Sequence, residues 1–159
     1  MSARAAWRLE TLGFRHVYRY QPGKDDWWVA RLPMEGTEAG TRSAADVARP
    51  DVPTCGLGDP VAEVARQVRE GDWPLAVVVD ERRIVLGRLR PRDLEAHPDA
   101  TAAELIVDGP RTIRGTRPAR TMGSWLDERH VRGVLVTTAD GELIGYVRRE
   151  DVEGRGTEL

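Results

Sequence analysis

The sequence predicts an α+β fold: two β-α-β-β-α repeats packed as a pseudo-two-fold pair, behind an N-terminal α-β-α extension. Three observations carry this reading. The chain aligns with itself, without gaps, at an offset of 58 residues, over 43–98 and 101–154. Each copy holds the same order of extended piece, amphipathic helix, two apolar strands and short helix. Residues 1–36 lie outside the alignment and carry helical and aromatic patterning of their own. The expected segments are therefore 1–38, 39–98 and 99–159.

The offset places "SAADV" at 43–47 on "TAAEL" at 101–105. It sets Thr54 on Thr112, Pro60 on Pro118, Glu70 on Glu128, Val78 on Val136, Gly87 on Gly145, Arg90 on Arg148 and Asp93 on Asp151. Ser43 with Asp46, and Thr101 with Glu104, have the form of a helix start, with a hydroxyl first and an acid three residues later. The extended pieces are "VPTC" and "RTI". The amphipathic helices, each opened by a proline, are "DPVAEVARQVREG" and "RPARTMGSWLDERH". Val61, Val64, Ala65 and Val68 share one face of the first, and Met122, Trp125 and Leu126 one face of the second. "LAVVVD" and "GVLVTT" are too continuously apolar for half-wet strands and read as buried ones. "ERR" and "ADGE" turn the chain into "IVLGRL" and "LIGYV", and a short helix begins near Arg90 or Arg148. One copy is too small to bury an adequate core, and two packed together solve that problem.

Composition narrows the functions. At 40% hydrophobic and 31% charged, the 159-residue chain is patterned as a globular protein. A net charge of −2 gives no bulk basic field for nucleic acid or an anionic membrane. No apolar run approaches the ~20 residues of a membrane span. The single cysteine, Cys55, excludes an intramolecular disulfide, and the expected compartment is the cytoplasm. His16, His97 and His130 are scattered, without metal-ligand spacing. There is no phosphate-cradling glycine loop and no readable Ser-His-acid grouping, so no enzyme activity is expected. Cys55, on a strand inside the repeat, reads as a small buried residue.

The duplicated run, "LAVVVDERRIVLGRLRPRDL" with "GVLVTTADGELIGYVRREDV", resembles a tandem pair of CBS domains, a Bateman module, over roughly residues 43–154. The resemblance implies a non-enzymatic regulatory module. It implies an adenosine-containing ligand (AMP, ADP, ATP or S-adenosylmethionine) in clefts between the copies, with no cofactor required. It further implies a homodimer whose output passes to an effector protein. In that family a glycine, a hydroxyl three residues on and an aspartate three further on serve the ligand: the hydroxyl meets phosphate and the aspartate ribose. The site so implied comprises Thr54, Gly87, Arg90, Asp93, Thr112, Gly145, Arg148 and Asp151. Both copies depart from the pattern at the hydroxyl, which is Arg90 or Arg148. Such an arginine can fork onto phosphate. It can equally fill the cleft, or pair with the nearby aspartate and occupy the acceptor that ribose needs. A ligand-free interaction scaffold stays open as a reading. Arg88 and Arg92 read as surface residues.

The stretch "SARAAWRLETLGFRHVYRYQPGKDDWWVARLPMEG" resembles the C-terminal end of a rhodanese domain: a helix, a strand, a turn and a tryptophan-bearing helix. A full rhodanese has a nucleophilic cysteine on the loop before that first helix. This chain has none there, so the resemblance implies at most a sulfurtransferase remnant, or an upstream start. Gly13 is expected to end the first helix in a left-handed conformation.

Overall fold

The computed structural model describes residues 3–18, 23–36 and 40–153. It forms two compact units, one running through residue 39 and the other from Gly40.

The first unit contains α1 (Ala3–Thr11) and α2 (Gly23–Val29). Gly13 ends α1 at φ 93°. Its N–H donates to the Glu10 carbonyl and that of Phe14 to the Leu9 carbonyl, the paired bonds of a Schellman turn. The Trp27 indole N–H donates to the Pro33 carbonyl at 3.0 Å. The expected strand "HVYRY" falls partly outside the described residues. Its described part, His16–Tyr18, is not a strand, and the described residues of this unit offer no second strand to pair with it.

The second unit runs α3 (Ala44–Val47), β1 (Thr54–Cys55), α4 (Val61–Glu70), β2 (Ala76–Val79), β3 (Val85–Leu89) and α5 (Pro91–Ala96). It continues with α6 (Ala102–Leu105), β4 (Val107–Asp108), β5 (Thr112–Arg114), α7 (Met122–Glu128), β6 (Gly133–Thr137), β7 (Leu143–Arg148) and α8 (Arg149–Glu153). One sheet has the order β1-β2-β3-β4 and the other β5-β6-β7. Their registers repeat at the offset seen in the sequence. Thr54 lies beside Val77 and Thr112 beside Leu135, both in parallel pairs. Val78 lies opposite Gly87 and Val136 opposite Gly145, each beside a bulge. Even backbone exceptions recur: Asp72 and His130 have φ of 49° and 51°, and Arg83 and Gly141 of 61° and 90°.

The repeats are joined by exchange. Asp46 accepts from the Ser43 N–H and hydroxyl, and Glu104 from those of Thr101, so each pair opens a one-turn helix as expected. Each helix serves the other copy. The Ala44 and Ala45 N–H groups donate to the Arg117 and Gly115 carbonyls; those of Ala102 and Ala103 donate to Asp59 and Leu57. Past α3, Arg49 exchanges both backbone bonds with Tyr146 of β7, at 2.9 and 3.0 Å. Past α6, β4 pairs with β3. The two hairpin turns also meet: Val85 N–H donates to Gly141 and Leu143 N–H to Arg83.

Two elements differ from expectation. β4 is not among the expected elements, because a two-residue strand has no pattern of its own and exists only through its partner β3. The second amphipathic helix begins as a 3-10 turn, Ala119–Thr121. There the Thr121 hydroxyl donates back to the Pro118 carbonyl at 2.8 Å, a local bond that competes with α-helical geometry.

β2 and β6 are buried on both faces, which explains their unbroken apolar runs. Val134 and Val136 pack with Met122, Leu126 and Val47. Leu135 faces the other way and joins the first repeat's cluster with Val77, Leu89 and Leu94. The glycines of the repeated strands have a packing reason: a Cβ on Gly145 would sit 2.4 Å from the Arg49 carbonyl oxygen, and one on Gly87 would meet the Ile106 side chain. Arg49 lies in main-chain pairing and cannot retreat; at Gly87 the main-chain contact, to the Val107 carbonyl oxygen, is longer at 3.0 Å, and the closer atoms belong to the Ile106 side chain. Gly145→Ala is therefore expected to destabilise by about 2–3 kcal/mol and Gly87→Ala by less. Gly123→Ala, inside α7 with its nearest neighbour 4.0 Å away, should stabilise by up to about 1 kcal/mol. Urea unfolding of the three variants checks this order, and an undisturbed Gly145→Ala contradicts the exchange.

Candidate functional site

Two clefts lie between the repeats. The first, about 500 Å³, is lined by Asp72, Trp73 and Pro74 from the first repeat and by Arg132, Tyr146, Arg148, Arg149 and Glu150 from the second. Arg148 leaves the end of β7 and its guanidinium lies 4.5 Å from the Trp73 ring centre. It donates to the Asp72 carbonyl at 2.9 Å and the Gly71 carbonyl at 3.4 Å, and pairs with Glu150 at 3.2 Å. Arg49 covers the ring also at 4.5 Å, and Tyr146 meets its edge. Trp73 is thus held between two arginines. The left-handed Asp72 turns carbonyls towards Arg148. Arg148 is thus tied to the wall of the first cleft by carbonyls and Glu150.

The second cleft, about 360 Å³, has Leu75 and Arg88 on one side. Gly109–Arg111, Trp125, Arg129, Val131, Gly133–Leu135 and Tyr146 complete it. Tyr146 lines both clefts, and burial pushes its phenol up in pKa while the positive charges of Arg148 and Arg88 pull it down. At the repeat offset, Val131 and Arg88 are the mates of Trp73 and Tyr146. Where the first cleft has a stacked indole, the second has a valine. Its volume lies within the usual range for small-molecule sites.

The expected site residues separate. The Arg148 backbone N–H donates to the Asp151 carboxylate at 3.0 Å, so Asp151 supports the start of α8. Arg90 caps α5, and its side chain has no hydrogen bond or ion pair among the described residues. Asp93 sits in the first turn of α5 and pairs with exposed Arg92 at 3.3 Å. Thr54 is half-buried on β1. Thr112 borders a separate groove beside Arg117 and Trp125. Gly87 and Gly145 are occupied by the exchanged segments. Of the eight, only Arg148 lines either inter-repeat cleft.

Arg88 was expected at the surface. It is instead half-buried on the second cleft, with its Nε buried and unpartnered. Strand alternation carries the signal: Gly87 and Leu89 face one way, Arg88 the other, and both faces of this sheet are covered. Arg92 is exposed, as expected. Among the described residues there is no group of three or more metal-ligating side chains, and no helix is long and apolar enough to cross a membrane.

Residues 44–97 match the family model described as the CBS domain. No curated protein sequence matches the chain. Solved structures do. The CBS domains of a transcriptional regulator from Streptococcus pneumoniae align with a TM-score of 0.62 at 18% identity, over 71% of this chain and 98% of that one. The CBS-pair protein CBSX2 from Arabidopsis thaliana aligns at 0.60 and 19%, over 71% and 92%. A CBS domain protein from Pyrobaculum aerophilum, complexed with AMP, aligns at 0.56 and 20%, over 69% and 88%. The fold of the second unit is that of a CBS pair.

Cys55 is buried on β1, which pushes its thiol up to about 11. The neutral thiol is the favoured buried form. Its contribution to stability is whole below the free thiol's range, about 8.5, and is lost as pH rises through about 11. Native protein at pH 8 should resist alkylation at Cys55, and urea-unfolded protein should react at once. Rapid native labelling would refute an inert, structural cysteine.

Proposed function

We propose that the chain is a non-catalytic ligand sensor that takes an adenosine nucleotide in the cleft between its repeats. One observation carries this: the second cleft is open, walled by Leu75, Val131, Leu135 and the rings of Trp125 and Tyr146, and edged by arginines. Apolar and aromatic walls suit a base, and guanidinium groups suit phosphate. The AMP in the Pyrobaculum aerophilum protein of like fold supports the same ligand class. Because both repeats line the cleft, a ligand there favours one arrangement of the pair over others. Output then passes to an effector protein or through a symmetric dimer, the commonest oligomer on general grounds. The rhodanese-like reading of residues 1–38 rests on sequence resemblance alone and gives the chain no nucleophile.

Thermal unfolding with adenosine, AMP, ADP, ATP and S-adenosylmethionine tests the proposal. A ligand at one hundred times its dissociation constant stabilises by about 2.7 kcal/mol, which moves the midpoint by roughly 5–10 °C. If no adenosine compound moves it, the chain is a ligand-free scaffold and the proposal is wrong.

A further inference from the structure

The two clefts differ in charge as well as in space. The first is lined by Arg132, Arg148 and Arg149, but Asp72 and Glu150 stand among them. Arg148 is held by carbonyls and Glu150, and Arg149 pairs with Asp127. Two of its three arginines are thus answered internally. The second is lined by Arg88, Arg111 and Arg129, and among the described residues no acidic side chain lines it. Arg129 has an exposed partner, Glu128, at 3.2 Å and lies over the Trp125 ring at 4.6 Å. The Arg88 side chain has neither a hydrogen bond nor an ion pair among the described residues, and its Nε is buried. That Nε–H has lost water without gaining a partner, which is unfavourable until an acceptor arrives.

Resting on the nucleotide-sensor reading, we propose that this cleft selects its ligand by phosphate number. Arg88, Arg111 and Arg129 form the reader, and the preferred ligand is a nucleoside di- or triphosphate. A guanidinium presents paired donors to phosphate oxygens. Three of them with no competing carboxylate match a chain of phosphates better than a single one. AMP leaves part of this charge unanswered. S-adenosylmethionine, whose sulfonium adds a positive charge, is disfavoured. Arg88 is the discriminating residue, since Arg111 is exposed and Arg129 already has an anionic neighbour.

The test is titration calorimetry on the full chain with ATP, AMP, adenosine, S-adenosylmethionine and inorganic tripolyphosphate, at low and high salt. ATP should bind about tenfold or more tighter than AMP, with the advantage shrinking as salt rises. Tripolyphosphate should compete with ATP. Arg88→Gln should remove most of the ATP advantage while leaving adenosine affinity within about twofold. Arg111→Gln, at an exposed position, gives the same sign where Arg88→Gln fails to fold. Arg132→Gln, on the other cleft, should leave the ATP-to-AMP ratio unchanged. Equal affinity for AMP and ATP, or full ATP affinity in both cleft variants, overturns the selection by phosphate number while the sensor reading stands. Tripolyphosphate binding without any nucleoside binding supports the arginine reader and overturns the adenosine reading. No binding by any probe overturns both.

Discussion

Neither repeat completes its own sheet. The helix that opens the first repeat docks on the second, and the helix and strand that open the second close the first. Every bond in this exchange has its mate 58 residues along the chain, from the Ala44 and Ala102 N–H groups to the meeting of the two hairpin turns. A backbone group left unpaired in that seam costs free energy comparable to a lost hydrogen bond. The exchange therefore fixes which strand faces which cleft. It also explains why glycine stands at both Gly87 and Gly145: each lies where the borrowed segment crosses.

A symmetric scaffold then carries an asymmetric site. The backbone repeats down to its bulges and left-handed turns, but a few side chains do not. Trp73 is mated with Val131, Tyr146 with Arg88 and Arg49 with Val107. On one side these substitutions build the stack of Arg49, Trp73 and Arg148, tied to the turn after α4. On the other they leave a valine and an unpartnered arginine beside open space. Because Tyr146 lines both clefts, a ligand in the second would press on a residue that also lines the first. The two repeats can thus respond as one body.

Most of the fold was legible in the sequence, because the duplicated pattern carries it. Apolar runs too continuous for an exposed strand, prolines at helix starts and hydroxyl-acid pairs at short helices all recur at one spacing. The capping pairs at Ser43 and Thr101 formed as their residue types require. The exchange was not legible, since nothing local in "SAADV" says which copy it serves. β4 was lost for the same reason. The site was legible only in part. Position within a motif drew attention to Arg90 and Asp93, which the fold places at a helix start away from either cleft. Arg148 lines a cleft, but its stacking there depends on Trp73, 75 residues earlier in the chain. Arg88 was expected at the surface with Arg92, but residues of the second repeat line the cleft beside it.

Equivalent backbones carry inequivalent clefts: in the first Arg148 is bonded to carbonyls and Glu150, and in the second the Arg88 side chain has no partner among the described residues. Counting nucleotide sites tests it most directly. Calorimetric titration of the chain with ATP is predicted to saturate at one molecule per chain. Saturation at two equal sites per chain would show that the internal bonds of Arg148 do not set the first cleft apart, and would contradict this asymmetry.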